Sequence, residues 1–303
     1  MTRADLSSGQ QAAQCTHAAI DYQTACPQSA DAWRTESNTV VLLQVADEAS
    51  LFDLRLHLKT SGTDLVEVYE PDLGHEFTAL AFVRLASDDP DLKVQALSLI
   101  GKSARRRRRL SKEAWTTLSR MGDTPQTDTQ SVLEHGLAVR GKLFELLNHL
   151  RHDDPLKGTW KLPEWVGQYR DHILSNLPSD LVLHRYTVYH DCGKPFCLEY
   201  DDEGRKHFPN HAQVSHDTYL SVWEDSEVAS LILHDMDLHT CKAADIPNIA
   251  MVPNVTALML VSLAEIHANA DMFGGIESTS FKIKYKQLNK RGKALCKNLW
   301  SNS

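Results

Sequence analysis

The end of one apolar segment places the strongest constraint on the C-terminal half of this 303-residue chain. The apolar residues of the segment are Leu181, Val182, Leu183, Tyr186 and Val188. The segment runs into His190 and Asp191, and then into Gly193, Lys194 and Pro195. Glycine and proline are residues at which helices end. The pattern therefore predicts that His190 and Asp191 lie at a helix C-terminus, beside a loop.

Further histidines and a carboxylate surround this pair in a definite order. His135 precedes it, and His211, His234 and Asp271 follow it. His234 lies at the end of a predicted helix, and Asp271 lies on the inner face of a helix predicted over residues 255–275. Imidazole and carboxylate groups together suit divalent Mn, Fe, Ni, Co or Zn. An aspartate adjacent to a ligating histidine can bridge two ions, and two bridged ions can clamp the attacking and leaving oxygens of a phosphoryl displacement. These residues are therefore candidate ligands for two divalent metal ions.

Five ordered blocks across roughly residues 130–275 carry a resemblance to a known family. They read "LEHGLAVRGKLFELL", "YHDCGKP", "HFPNHAQVSHD", "LILHDMDLH" and "LAEIHANADMFG". Together they resemble the HD superfamily of metal-dependent phosphohydrolases, and in particular the His-Asp domain attached to some tRNA nucleotidyltransferases. The resemblance implies an all-α, HD-type C-terminal domain over residues 131–303.

The resemblance also implies a division of the ligands between two metal sites. One ion would be held by His135, His190, Asp191 and Asp271. His211 and His234 would complete a second site, with Asp191 as the bridge. His216 could replace His211 if the register is shifted.

Other roles in the same domain concern the substrate. Lys194 matches a lysine that often follows the His-Asp pair, where it would face a phosphate as a point charge. Arg205, in a predicted hairpin or lid over residues 195–210, would help to hold that phosphate. His239 is a candidate for protonating the leaving group. Asp191, Lys194 and His239 are thus the predicted catalytic residues.

The first 102 residues alternate between strand-like and helix-like segments. Strands are predicted near residues 2–6, 39–45, 65–71 and 77–85, and helices over residues 7–26, 48–62 and 89–101. Continuous apolar strands that alternate with helices predict an α/β domain with a mostly buried sheet. The expected fold is a small mixed sheet flanked by helices.

This N-terminal block resembles the type 2 peptidyl-tRNA hydrolases. The resemblance rests on "RADLSSGQQAAQCTHAA", Trp33, "VADEASL" and "YEPDLGHEFTALA". It implies a site near the peptidyl ester of tRNA, made of Gln14, His17, Asp72 and Thr78. Gln10 stands where that family has a lysine, and a neutral amide offsets phosphate or oxyanion charge less well. The block is therefore an active esterase on peptidyl-tRNA, a module that binds a tRNA 3′ end, or a scaffold.

Residues 103–130 separate the two predicted domains. They contain five consecutive arginines, residues 105–109, which would surround a helix axis, and end in the polar loop "GDTPQTDTQ". The net charge of -8 argues against a protein built throughout for nucleic acid. Contact with phosphate would come from local basic patches such as this one. The sequence predicts a basic helical connector.

Composition limits the remaining classes. With 42% hydrophobic and 24% charged residues, the chain can build a full core. The six cysteines lack metal-site spacing, and no apolar run is long enough to cross a membrane. We therefore expect a cytoplasmic phosphohydrolase that acts on a nucleotide or on an RNA or tRNA 3′ end. The alternatives are a di-iron HD-type oxygenase and a non-catalytic tRNA-binding protein.

Overall fold

The computed structural model describes residues 1–36, 38–83, 94, 97–99 and 110–300. The chain divides into two compact units, Met1–Lys112 and Glu113–Ser303. None of the helices in these described ranges combines the length and apolarity that crossing a membrane requires.

The N-terminal unit alternates strands and helices, as predicted. In order they are β1 Thr2–Arg3, α1 Ser8–Ala25, α2 Pro27–Glu36, β2 Leu43–Val45, α3 Glu48–Thr60, β3 Leu65–Glu70, β4 Glu76–Phe82 and β5 Ser98–Leu99. The strand order is β3-β4-β1-β2-β5. Strand β1 pairs with β2 in parallel and with β4 antiparallel, so the sheet is mixed. The prediction of a small mixed sheet flanked by helices is confirmed.

Helix α1 begins where its sequence predicts. Ser7 and Gln10 form a capping box, which satisfies backbone N–H groups that a helix start leaves unpaired. Ala18 on α1 packs against Val68 and Ala79, which pair across β3 and β4. Helix α3 has Asp47 as its N-cap residue, with the carboxylate accepting a hydrogen bond from the Ser50 N–H. The Ala18 contacts place α1 against β3 and β4, the strands beside which the candidate residues of this unit lie.

Three predictions for this unit are corrected or lie outside the described residues. The strand predicted over residues 39–45 is only Leu43–Val45, and Val40 and Val41 are exposed. Residues 98–99 form a strand antiparallel to β2, where a helix was predicted. The rest of that predicted helix is largely undescribed, and so are the arginines at 105–109. Helix α2, which contains Trp33, was not predicted as a separate element.

The C-terminal unit is helical apart from one short hairpin within the described residues. Its helices are α4 Lys112–Asp123, α5 Val132–His152, α6 Glu164–Gln168, α7 Arg170–Ser175, α8 Asp180–Tyr189, α9 His211–Trp223, α10 Ser226–Leu233, α11 Asp237–Thr240, α12 Ile246–Ile249, α13 Val255–Ala268 and α14 Thr279–Trp300. The hairpin pairs β6 Glu199–Tyr200 with β7 Lys206–His207. The all-α prediction and the predicted hairpin are both confirmed. Helix α4, predicted as part of a connector, falls mostly within this unit.

Helices α5, α8 and α13 form the packed centre of the unit. Helix α13 is buried on nearly every side, which its continuous apolar sequence predicts. Gly136 in the first turns of α5 lets that helix approach α8 closely. A Cβ atom at Gly136 would lie 2.3 Å from the Val188 carbonyl oxygen. This close approach brings the start of α5 against the end of α8, where the candidate site lies.

Candidate metal centre

The His-Asp pair occupies the helix end that the sequence predicts. Leu183, Tyr186 and Val188 are fully buried, and α8 ends at Tyr189 with His190 as its C-cap residue. The turn that follows is pressed against α9, because a Cβ atom at Gly193 would lie 2.2 Å from the Ser215 backbone nitrogen. The Gly193 N–H also donates to Ser215 Oγ at 2.9 Å. Packing on both sides therefore fixes the position of the pair.

His135, His190 and Asp191 meet in a buried cluster. Their candidate ligand atoms all lie within 4.8 Å of one another. His135 Nε2 is 3.7 Å and His190 Nε2 is 3.3 Å from Asp191 Oδ2. Ligands about 2.0–2.2 Å from one ion are themselves separated by about 3 to 3.6 Å. The spacing is therefore close to what a single divalent ion needs.

The hydrogen bonds of the two histidines indicate whether the cluster fits a metal ion. Both ring nitrogens of His135 and Nε2 of His190 are buried and make no regular hydrogen bond with any described residue. Buried polar atoms are normally paired, so such atoms need an explanation. His190 Nδ1 contacts the Thr187 carbonyl oxygen at 2.9 Å, which orients Nε2 toward the cluster. A histidine whose second nitrogen is held by a carbonyl is typical of metal sites. The donor set fits a metal ion.

The charged groups of the cluster shift one another's pKa values. Burial, followed by the nearby His190, lowers the pKa of His135 to about 4, so this imidazole is neutral and can donate a lone pair. Burial disfavours a charge on His190, but the Asp191 carboxylate outweighs it and raises the pKa of His190 to about 10. Burial alone would raise the pKa of Asp191, but Lys194 and then His190 hold it well below its usual range. Asp191 is therefore an ionised carboxylate.

Two other predicted residues lie beside Asp191. Lys194 Nζ is 2.6 Å from Asp191 Oδ2 and also donates to Gln126 Oε1 at 3.1 Å. The ammonium group thus pairs with the carboxylate, and the lysine is buried rather than open to an incoming phosphate. His211 Nε2 lies 3.9 Å from Asp191 Oδ1, on the opposite carboxylate oxygen from the His135 contact. Asp191 therefore lies between His135 and His190 on one side and His211 on the other.

Three predicted residues are not brought into this cluster. His234 lies at the end of α10, and its Nδ1 pairs with Asp237 at 2.8 Å. Its place at the second metal site stays a prediction. Arg205 is exposed in the hairpin and pairs with Asp201 and Glu203. Asp271 was predicted on the inner face of α13, and that placement is wrong. The helix ends at Ala268, and Asp271 is an exposed residue of the following 3₁₀ turn.

Glu265, which sequence reasoning missed, lies close to the cluster instead. Its Oε1 is 3.9 Å from His135 Nε2, and its Oε2 is 2.9 Å from His239 Nε2. Burial would raise the pKa of Glu265, but His239 and then His190 hold it below the usual range. Asp235 was also missed; it is buried and accepts a 2.6 Å hydrogen bond from the Tyr186 hydroxyl. The signal for Glu265 was available, since it is the sole acidic residue in the otherwise apolar α13.

Two further histidines of this unit have other partners. His267 Nδ1 contacts the Leu263 carbonyl oxygen at 2.8 Å, and its Nε2 accepts from the Lys161 N–H at 3.0 Å. Both ring nitrogens are therefore engaged in structural hydrogen bonds. His216 Nδ1 contacts its neighbour Asp217 at 2.7 Å. The alternative with His216 in place of His211 gains no support, because the His211 side chain is the one beside Asp191.

The candidate residues of the N-terminal unit form a separate polar network. The Thr78 hydroxyl donates to Gln14 Oε1 at 2.8 Å, and Gln14 Nε2 donates to Glu70. Gln14 and Thr78 are buried, so the chain of hydrogen bonds joins α1 to the facing ends of β3 and β4. Glu70 is the member that sequence reasoning missed. This network brings Gln14 and Thr78 together, as the predicted site requires.

The other two predicted residues of this unit lie at the surface. His17 is exposed on α1, one turn after Gln14, and Asp72 is exposed in the 3₁₀ turn Pro71–Leu73 that follows Glu70. Gln10, at the position of the family lysine, contributes its side-chain oxygen to the capping box with Ser7. Its side chain is therefore used in starting the helix.

Thr78→Val is expected to destabilise the N-terminal unit by about 1–3 kcal/mol, because it leaves the buried Gln14 oxygen without its donor. Chemical denaturation followed by circular dichroism would measure the change. Thr16→Val is the matched control: the Thr16 hydroxyl bonds to the Ala12 carbonyl on an exposed face of α1, so its loss should cost less than about 0.5 kcal/mol. Equal effects of the two substitutions would contradict the assigned network.

Comparison with known proteins bears on the N-terminal unit. Residues 2–81 match the family model for peptidyl-tRNA hydrolase PTH2. This match supports the predicted peptidyl-tRNA hydrolase-like domain, whereas the likeness of the C-terminal unit to HD proteins stays a prediction. A search of curated proteins and a search of solved structures each found no significant match.

Proposed function

We propose that the C-terminal unit is a metal-dependent phosphohydrolase and that the N-terminal unit is a tRNA-related hydrolase-like module. The observation that carries the first part is the buried cluster of His135, His190 and Asp191, whose inward ring nitrogens make no regular hydrogen bond among the described residues. The proposed substrate is a phosphomonoester or phosphodiester in a nucleotide or at an RNA 3′ end, including that of tRNA.

The proposed ions are two divalent cations, one at His135, His190 and Asp191 and one between Asp191 and His211, with His234 as the further predicted ligand of the second ion. When bound, such ions provide Lewis-acid activation and neutralise charge at a phosphate. Asp191 would serve both positions, since its Oδ2 faces His135 and its Oδ1 faces His211. Lys194 would hold Asp191 in place and contribute positive charge at the edge of the site. The role of His239 as a proton donor to the leaving group stays a prediction.

The tRNA element of the proposal rests on the PTH2 match. Gln10 is committed to the helix cap, so this unit lacks the family lysine that would offset developing negative charge. Gln14, Thr78 and the exposed His17 and Asp72 are nevertheless present. We therefore favour binding of a tRNA 3′ end over hydrolysis of peptidyl-tRNA. A cytoplasmic location is part of the same proposal, supported by the free thiols of all six cysteines.

A phosphate-release screen on the full chain tests this function. The protein is stripped of metal with a chelator and then reloaded separately with Mn²⁺, Fe²⁺, Ni²⁺, Co²⁺ or Zn²⁺. The substrates are nucleotides, cyclic phosphates and 3′-phosphorylated tRNA. The expected result is release from one substrate class that disappears on chelation and returns on reloading. Two bound irons with oxygen consumption and no phosphate release would favour the oxygenase, and no turnover on any substrate would favour a non-catalytic tRNA-binding protein.

A further inference from the structure

Glu265 is an unusual residue for the helix that contains it. Helix α13 is the most completely buried helix of the C-terminal unit, and its other residues are almost all apolar. A carboxylate in such surroundings is costly unless it is paired or binds a metal. Its side chain retains only 16% exposure. The location therefore requires a positively charged partner.

The two oxygens of Glu265 face different histidines. Oε1 lies 3.9 Å from His135 Nε2, the same nitrogen that lies 3.7 Å from Asp191 Oδ2. Two carboxylates thus flank one buried imidazole that makes no hydrogen bond within the described part of the chain. Oε2 lies 2.9 Å from His239 Nε2. Oε1 is thus the oxygen nearer to the cluster, and Oε2 is paired with His239.

The partner of Glu265 is itself fixed in position. Arg291, on α14, donates to the carbonyl oxygens of Leu238, His239 and Cys241 at 2.9–3.1 Å. These carbonyls lie at the C-terminal end of the short helix α11, where backbone oxygens lack helical partners. The Arg291 guanidinium therefore anchors the turn that carries His239.

We propose that Glu265 is a ligand of the ion held by His135, His190 and Asp191, in the role that the sequence assigned to Asp271. His239 is then a positioning residue, since it acts on the ion through Glu265. This inference rests on the proposed metal site but changes its composition. In metal sites generally, a residue that does not touch the ion often hydrogen-bonds to a ligand and orients it. His239 would have this relation to the Glu265 carboxylate.

The test is a titration of the chelator-treated full chain with Mn²⁺, followed by electron paramagnetic resonance of free and bound Mn²⁺. Glu265→Gln preserves the shape of the side chain and is expected to weaken Mn²⁺ binding by more than about 100-fold. Loss of a residue that only orients a metal ligand typically costs about 10- to 100-fold, so a larger loss indicates a ligand. Asp271→Asn is the matched control and should change affinity less than about 2-fold, because Asp271 is exposed in the structure. Circular dichroism of each variant checks the fold.

His239→Gln separates a positioning role from a purely structural one. It leaves Glu265 in place but removes its outer partner, so we expect Mn²⁺ affinity to fall by about 10- to 100-fold, between the other two variants. Normal affinity in Glu265→Gln together with a large loss in Asp271→Asn would overturn this inference while leaving the metal site intact. A wild-type chain that binds no Mn²⁺, and none of the other four ions, would overturn both the inference and the proposed function.

If Glu265→Gln unfolds the protein, Glu265→Asp provides the second variant. It retains the charge but shortens the side chain, so it should fold and bind Mn²⁺ more weakly than the wild type. The bound signal should also change, because the ligand oxygen is displaced. An unchanged affinity and an unchanged spectrum in Glu265→Asp would overturn the assignment of Glu265 as a ligand.

Discussion

Asp191→Asn is expected to abolish metal-dependent phosphate release and to weaken metal binding by more than about 100-fold. The carboxylate lies 3.3–3.9 Å from ring nitrogens of His135, His190 and His211. Removing its charge also leaves the buried Lys194 ammonium without its partner, which costs about 3–5 kcal/mol when one member of a buried pair is lost. Elemental analysis, phosphate release and thermal unfolding measure the three effects.

Asp180→Asn is the matched control for this substitution. Asp180 is a buried aspartate at the start of α8 that pairs with Arg151 at 2.8 Å, about 15 Å along the same helix from the cluster. Its replacement should lower stability by the same mechanism but leave metal content unchanged. If folded Asp191→Asn retained normal turnover, Asp191 could not be the bridging ligand. If both variants lost metal equally, the loss would reflect unfolding.

Gly136→Ala is expected to produce the second large effect. A methyl group at this position would lie 2.3 Å from the Val188 carbonyl oxygen. The nearest atoms all belong to the backbone of Val188 and Thr187, so no side chain can rotate away to remove the clash. Forcing α5 away from α8 should cost about 1–3 kcal/mol or more. It should also separate His135 from His190 and so reduce metal affinity. Denaturant unfolding and metal titration of the same preparation test both consequences.

Gly141→Ala makes the same chemical change five residues later on α5. Apart from its chain neighbours and the adjacent backbone of its own helix, no described atom lies within 4 Å of the added methyl group, and the residue is exposed. Alanine favours the helix over glycine by about 0.5–1 kcal/mol, so this variant should be more stable than the wild type. The two substitutions are thus expected to have opposite signs. A neutral or stabilising Gly136→Ala would contradict the close approach of α5 and α8.

Local patterns predicted those parts of the structure that local forces determine. The apolar run through Val188 and the glycine that follows it predicted the helix end at His190. Ser7 and its neighbours predicted the start of α1, and the alternation of strands and helices predicted the mixed sheet. In each case, burial of an apolar face or satisfaction of a helix end acts within a few residues.

One candidate ligand, Asp271, was misplaced, and another, Glu265, was missed. Asp271 was placed on α13 by helical periodicity, but the helix ends at Ala268 and the chain turns. Glu265 meets His135, 130 positions earlier in the chain. Its position in a largely apolar helix could have marked Glu265 from the sequence, but the pattern does not identify its partner. Arg205 is paired with acidic residues of its own hairpin, and its predicted contact with a phosphate stays a prediction. Of these cases, only the Glu265 contact is tertiary.

Anomalous X-ray scattering from crystals of the full chain grown with Mn²⁺ tests the central claim most directly. The predicted result is a peak about 2.0–2.3 Å from His135 Nε2, His190 Nε2 and a carboxylate oxygen of Asp191, distances typical of nitrogen and oxygen ligands. A peak on other residues, or none at a Mn²⁺ concentration that saturates the protein in solution, would contradict the account.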